Sequence, residues 1–565
     1  MITEQQLVGL LQRADWTTLS LTAGVSRRFN RALRDEQLRS MPPPPWLPPW
    51  ARVMMDPDGM PGALGDQLTG RLIVAPGCRF RAELTGPDGD TTTSGCDGER
   101  LWLVDPRLRG TETIAGDRHG EGWRGYAGGS PEPPFRQLLS PSWLLTGFVL
   151  DIEEAVTVAA REGWHVVAVP RERPLASLQP QRHDLTVDAE LGILLRCESF
   201  VRGLPLLLEE LDAVQIQTAG ESQFSVPPDA LAGVKDFAGE HVPRGFRTAA
   251  GLAADALGFA IRHGPGGPRP TAGGGEPMPH DAGDAGQEDW PPVGDQVAYL
   301  LFHARSAERD VAAELSEWDS AEGFAEGLRR GGRVLGQGGM ARLADAISDK
   351  AAPAATHRLA RLIHAAGGVR YRLDWVAGAP RGKPVTESCD GQTRWRVYPD
   401  RTLTGPARPA PPRVADLMDP SWLLEWRLAD GGEEIVSGRR GYRVRGTRIP
   451  GVTLSGPSLI YDAAVAVIDA ELGVITRLTS YAAGRPAQRW ELRDLRIPAP
   501  ADLAGQFRIR TPPGGRVEQE SGPFDEAPEP LRQAVQTAQQ IGRVVGPVVS
   551  KAAGFLGSLR SRGRP

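Results

Sequence analysis

The stretch GCRFRAEL, residues 77–84, is followed at residues 94–106 by SGCDGERLWLVDP, and GVRYRLDW, residues 368–375, is followed at residues 387–399 by ESCDGQTRWRVYP. Both stretches alternate. Cys78, Phe80, Ala82 and Leu84 take every second place, with Arg79, Arg81, Glu83 and Thr85 between them. Val369, Tyr371, Leu373 and Trp375 alternate in the same way with Arg370, Arg372 and Asp374. Side chains of an extended strand point to opposite faces in turn, so each stretch reads as a strand with one buried and one wet face. Asp97-Gly98 and Asp390-Gly391 stand between strand-like runs. A two-residue turn there needs positive φ and favours Asp-Gly, so each pair predicts a β-hairpin.

Four further matches extend the likeness in the same order. SPSWLL at 140–145 matches DPSWLL at 419–424, and GWHVVAVP at 163–170 resembles GYRVRGTRIP at 441–450. DAELGILLR at 188–196 matches DAELGVITR at 469–477, and ELDAVQI at 210–216 matches ELRDLRI at 491–497. Gln223-Phe224 ahead of Pro227-Pro228 then echoes Gln506-Phe507 ahead of Pro512-Pro513. Ordered self-similarity of this length means an internal duplication. The glycines of DAELG read as hairpin turns, making each copy a largely antiparallel meander.

The copies set the domain boundaries. Residues 1–240 form a first unit with an N-terminal helix over Glu4 to Arg13, and residues 241–263 an amphipathic helix. Residues 264–292, rich in Gly and Pro and poor in apolar side chains, read as a flexible linker. Residues 293–366 are expected to be a helical lead-in, 367–515 the sheet of the second unit, and 516–565 a linker and a basic amphipathic helix. The run Pro42 to Pro49 reads as a stiff extended spacer.

Composition narrows the function. Lys plus Arg number 65 against 70 Asp plus Glu, a formal charge of -5 on 565 residues, which offers no one-sign field to nucleic acid. Cys78, Cys96, Cys197 and Cys389 are too few for a disulfide framework and none sits in a C-x-x-C pair. The nine histidines make no H-E-x-x-H and no Cys-His cluster, so no metal is expected. GGRVLGQGG at 331–339 lacks the Lys-Ser/Thr of a phosphate loop, and no G-x-S-x-G occurs. Glu153-Glu154, Glu209-Glu210 and Glu433-Glu434 are neighbours on the chain, and neighbouring strand residues point apart rather than converging as an acid and base must. An enzyme is disfavoured and no cofactor is implied.

This order of signals resembles the LolA, LolB and RseB superfamily of bacterial lipoprotein carriers and envelope-stress sensors. The shared pattern is an alternating-Arg strand, a DG hairpin into a Trp strand ending in Pro, a P-x-x-LL segment, a D-x-x-x-G hairpin, and a closing strand before Phe and Pro-Pro. The resemblance implies an α+β chain of two tandem LolA-like units, each a curved antiparallel sheet, an unclosed half-barrel, lidded by helices. In the carriers the apolar concave face holds acyl chains.

Phe80, Trp102, Trp143, Tyr371, Trp375, Trp395 and Trp422 are then the candidate ligand-binding residues, since a Trp body packs against an acyl chain while its N–H seeks a partner. Core packing is the competing reading of each. Arg79, Arg81, Arg370 and Arg372 suit either a ligand head group or surface salt bridges.

The expected function is non-enzymatic binding of a lipid, acyl chain or other hydrophobic ligand. The alternative is an RseB-like regulatory or scaffold protein that binds protein partners. Family members act outside the cytoplasmic membrane, whereas MITEQQLVGLLQRADW has no basic segment leading into an apolar one. A cytoplasmic location is therefore expected, with peripheral membrane contact through the C-terminal helix and its Arg560, Arg562 and Arg564.

Overall fold

The computed structural model describes residues 2–30, 32–33, 36, 67–98, 100–104, 116–117, 133–171, 180–225, 290–304, 310–320, 326, 356–365, 368–377, 384–407, 410–449, 461–482, 484–503, 505–509 and 516–519. The amphipathic helices expected at 241–263 and within 516–565, the run Pro42 to Pro49 and most of the linker lie outside them.

Two unclosed sheets dominate. The first holds β1 (Leu21–Phe29), β2 (Gln67–Ala75), β3 (Arg79–Thr85), β4 (Thr91–Asp97), β5 (Arg100–Val104), β6 (Gly116–Asp117), β7 (Phe148–Val158), β8 (Arg161–Pro170), β9 (Arg182–Asp188), β10 (Leu194–Val201) and β11 (Leu204–Ile216). The second holds β12 (Val311–Asp319), β13 (Thr356–His364), β14 (Arg370–Ala377), β15 (Thr386–Asp390), β16 (Thr393–Val397), β17 (Arg401–Pro406), β18 (Arg427–Val436), β19 (Arg439–Thr447), β20 (Ala463–Asp469), β21 (Ile475–Ala482), β22 (Arg485–Arg496) and β23 (Arg516–Gln519).

Their orders run β6-β5-β4-β3-β2-β1-β11-β10-β9-β8-β7 and β18-β19-β20-β21-β22-β12-β13-β14-β15-β16-β17-β23. In each, the chain walks outward from a central strand, crosses to the far edge and meanders back to pair with that strand. Every pairing is antiparallel except β17 with β23.

The helical lead-in expected over 293–366 is corrected. Among its described residues Asp295–His303 and Glu326 are helical, while Val311–Asp319 and Thr356–His364 are strands. VAAELSEWD has the Ala, Glu and Leu of a helix, yet it pairs on both sides, with β22 and β13, and that nonlocal pairing overrides local propensity. The second sheet thus begins well before residue 367. Arg516–Gln519, expected as linker, adds a strand to its edge.

The turn residues do what their chemistry allows. Gly98 and Gly391 take φ of 102° and 94°. Asp390 sits just before its glycine and accepts from the backbone N–H of Gln392 (2.9 Å) and Thr393 (2.8 Å). In the DAELG turns, Asp188 accepts from Glu190 and Leu191 N–H and takes Arg161, as Asp469 accepts from Glu471 and Leu472 N–H and takes Arg439.

Helices α1 (Glu4–Arg13), α2 (Arg136–Leu139), α3 (Trp143–Gly147), α4 (Asp295–His303) and α5 (Pro412–Met418), with the 3₁₀ turn Pro420–Glu425, send apolar side chains such as Leu7, Leu138, Leu144, Leu301, Leu417 and Leu423 into the same buried cluster as the strands. α1 starts with a capping box: Thr3 Oγ1 accepts from Gln6 N–H at 3.2 Å and Gln6 Oε1 accepts from Thr3 N–H at 2.9 Å.

α1 and α4 lie antiparallel and bring the two halves together. Arg13, in the last turn of α1, pairs with Asp295 in the first turn of α4. At the other end Glu4 accepts from Tyr299 Oη (3.2 Å) and faces His303 (3.5 Å). Arg427 Nε donates to Asp15 (2.6 Å), Thr146 to Glu425 (3.1 Å), and the Arg171 guanidinium lies 4.1 Å over the Phe302 ring. Leu7, Leu11, Phe80 and Leu145 share one buried apolar cluster with Leu301, Tyr371 and Leu424.

Candidate functional site

The strand registers sort every candidate by face, because residues directly opposite each other across a ladder share a face. In the first sheet one inner row runs Leu21, Val74, Phe80, Cys96, and the next runs Ala23, Leu72, Ala82, Ser94. In the second the equivalent rows run Val311, His364, Tyr371, Cys389, Arg394 and Ala313, Leu362, Leu373, Glu387, Arg396. Inner here means toward the helices: Trp16, just after α1, meets Phe80 edge to face with ring centres 6.3 Å apart.

The candidate ligand residues do not converge. Phe80 and Tyr371 lie at equivalent inner positions and are fully buried in the common core, with Trp375 on the same face as Tyr371 and partly buried. Trp143 and Trp422 belong to the covering helices and their indole N–H groups are spent on the chain, donating to Gln137 O (3.2 Å) and Asp416 O (3.0 Å). Each stacks edge to face on the start of the next strand, on Phe148 at 5.4 Å and Trp426 at 5.7 Å.

Trp102 and Trp395 are placed on the outer face, which corrects the expectation that they line the same groove as Phe80. Trp102 stands opposite Gly95 in the Arg81 row, and Trp395 opposite Ser388 in the Arg372 row. A Cβ at Gly95 would lie 2.4 Å from the Trp102 ring, so only glycine leaves room for it.

The outer face has its own repeated device. Trp102 Nε1 donates to Phe224 O at 2.9 Å and Ser388 Oγ to Phe507 O at 2.7 Å. Arg81 donates to Gln223 O and Arg372 to Gln506 O, while Arg79 and Arg370 lie 5.5 and 5.7 Å over the Phe224 and Phe507 rings. The four arginines therefore fasten the Gln-Phe segment after each closing strand to the back of its own sheet.

The second sheet's inner face carries polar residues that sequence reading did not single out. Glu387 Oε1 accepts from Tyr371 Oη (2.9 Å) and Arg394 Nε (3.0 Å), with Arg396 directly opposite Glu387 on β16. Burial and the neighbouring Glu387 push the Tyr371 hydroxyl well above its ordinary value. His364 is almost wholly buried, and burial lowers its imidazole to about 4. The signal was present in TRWRV: with Trp395 outward, strand alternation sends Arg394 and Arg396 inward together. Asp416, on α5, is raised to about 6 by burial beside Asp419.

Among the described residues no cluster of three His, Cys, Asp or Glu could hold a metal, and no helix is long and apolar enough to cross a membrane. A cavity of about 380 Å³ opens beside the outer Gln-Phe segment of the second sheet, lined by Asp310, Arg370, Asp390, Phe507 and Arg508 among others.

No protein family and no curated protein matches the chain. Solved structures do, among them those of MucB and of a LolA superfamily protein. The crystal structure of MucB is 15% identical with a TM-score of 0.25, covering 40% of this chain and 62% of that one, so the chain spans about three fifths of MucB. The LolA superfamily protein NE2245 from Nitrosomonas europaea is 9% identical with a TM-score of 0.18, covering 40% of this chain and 99% of that one. A putative outer membrane lipoprotein-sorting protein domain from Vibrio parahaemolyticus is 10% identical with a TM-score of 0.18, covering 37% and 94%.

Proposed function

We propose that this chain is a non-enzymatic binding protein, built as two LolA-like units in tandem, that acts by engaging protein partners. The observation carrying this reading is that the inner faces, where a carrier would hold its ligand, are filled by the protein's own side chains and belong to one core shared by both halves. A filled inner face leaves outer faces and sheet edges as the surfaces open to a partner. Native mass spectrometry of gently purified protein, followed by organic extraction, tests it. A mass matching the bare chain is expected, and one or two lipids per chain would overturn the reading.

That second outcome is the rival, a hydrophobic ligand held on the inner face of the first unit. It is favoured by a specific contrast: Val74, Phe80 and Ser94 stand on the first inner face where the second carries His364, Tyr371 and Glu387. The short helices α2 and α3, of four and five residues, would have to move aside for entry. Membrane contact through the C-terminal helix remains a proposal about residues outside those described, tested by flotation with liposomes after removal of 531–565.

A further inference from the structure

Strands β7 and β18 are the same edge of the two sheets: Leu150 faces Ala168 on β8 where Leu428 faces Gly446 on β19. The edge of β18 is occupied. Trp290–Val293, just ahead of α4, lies along it in extended form, Asp430 N–H donating to Pro291 O at 2.7 Å and Val293 N–H to Leu428 O at 3.4 Å. Pro292 bridges Ala429. A proline is tolerated in that middle place because the N–H it lacks would face away from the sheet. Trp290 lies flat on the strand, where a Cβ at Gly431 would come within 2.7 Å of its ring, and takes the Arg443 guanidinium at 4.9 Å.

By register the outward-facing groups on β7 are the carbonyl of Leu150 and the N–H of Ile152. Ile2 and Thr3, which hold the places of Val293 and Gly294 ahead of α1, form no such bridge, and no described strand pairs with β7 on this side, where Arg171 Nε donates to Phe148 O at the strand's start (2.5 Å). The strand's exposed side chains include three acids, Asp151, Glu153 and Glu154, of which Glu153 pairs with His165 at 2.9 Å. Val149 beside them is 56% exposed.

We infer that the β7 edge at Leu150–Ile152 is a docking site for an extended, basic peptide segment of a partner protein, added to the sheet as Trp290–Val293 is added to β18. Main-chain hydrogen bonds supply the affinity and the acids select the charge. A second copy of the chain is a poor occupant, since two β7 edges set side by side would bring their acids together. This inference rests on the partner-binding reading above and names the surface and the chemistry of the partner.

The test is a fluorescence-anisotropy titration of fluorescein-labelled acetyl-Lys-Thr-Lys-Val-Lys-Thr-Lys-amide with the full chain at low ionic strength. Saturable one-to-one binding is expected, weakened by added salt. Ile152→Pro removes the outward N–H without breaking the ladder to β8 and should weaken binding at least tenfold. Should that variant unfold, the surface pair Asp151→Lys with Glu154→Lys carries the test, with a loss of similar size. Glu433→Lys, on the occupied edge, should change binding less than twofold.

Absence of saturable binding, or binding indifferent to both β7 variants, overturns the inference, as does dimerisation of the chain that Ile152→Pro abolishes. Capture of a partner that ignores Ile152→Pro would sink the edge site and leave the partner-binding reading standing. Peptide binding lost in Ile152→Pro from a chain that purifies full of lipid would do the reverse.

Discussion

The inner faces of the two units share a backbone and little of their chemistry. At register-equivalent places the first has Val74, Phe80 and Ser94, and the second has His364, Tyr371 and Glu387. The ladders, the Gly98 and Gly391 turns and the arginine-fastened Gln-Phe segments are the same in both. A sheet of this kind is specified by alternation, turn geometry and pairing, and it accepts charge in its interior when the charge arrives with its counterparts. Glu387 does so, since Tyr371 and Arg394 both donate to it.

The contrast yields predictions that differ between the halves. Phe80→Ala should cost about 4 kcal/mol by urea unfolding, since it empties a fully buried ring site in the common core, whereas Tyr371→Phe at the equivalent place removes one hydrogen bond and should cost about 1 kcal/mol. A Phe80→Ala chain as stable as the parent would mean that the ring lines a groove rather than a core. Glu387→Ala removes the acceptor of the buried Tyr371 hydroxyl and an ion-pair partner of the mostly buried Arg394 and should cost about 3 kcal/mol, against less than about 0.5 kcal/mol for Ser94→Ala. Equal losses in the two variants would remove the distinction between the faces.

Two groups of the second unit should bend the response to pH in opposite directions. His364 is lowered to about 4, so between that value and the ordinary 6.5 the unfolded chain binds a proton that the folded chain refuses, and stability falls as pH falls through this window. Asp416 acts with the opposite sign: its folded value of about 6 lies above the ordinary 3.8, so its contribution is gained as pH falls through 6. The first unit has Val74 and Gln137 in these places and adds neither slope. His364→Val should therefore relieve about 3 kcal/mol of acid destabilisation between pH 7 and 4, and Asp416→Asn should remove about 2 kcal/mol of the opposing gain. Urea midpoints across that range that run parallel in His364→Val and the parent would show that the imidazole protonates freely in the fold.

The smallest effect is expected where the units meet at their surface. Arg13 and Asp295 are each about a third exposed, so Arg13→Gln should cost about 0.5 kcal/mol and lose even that at high salt. A loss several times larger would make this pair a principal tie between the halves.

Much of the fold could be read from alternation and turns. Asp97-Gly98 and DAELG stood where hairpins form, and the echo of Gln223-Phe224 in Gln506-Phe507 marked a segment that docks the same way twice. The strand Val311–Asp319 was hidden because its residues favour a helix and its pairing partners, β22 and β13, lie far along the chain. The site was less legible, for a different reason. Choosing Trp102 and Trp395 by residue type put them in a groove, while counting parity across the hairpin puts them behind it and turns Arg394 and Arg396 inward. Contacts such as Arg427 with Asp15 leave no local trace, since each residue meets its partner across the two units.

The antiparallel pair α1 and α4 has the reciprocity of a two-fold dimer, an acid at the start of each helix meeting a base at the end of the other. In a true homodimer every substitution is made twice, mirrored across the axis, so a new arginine in one inner face must be tolerated in both. Joined in one polypeptide, each half mutates alone. Tethering also holds the partners at a high effective concentration, so a modest contact keeps them together. One half can then keep an apolar interior as a scaffold while the other explores buried charge.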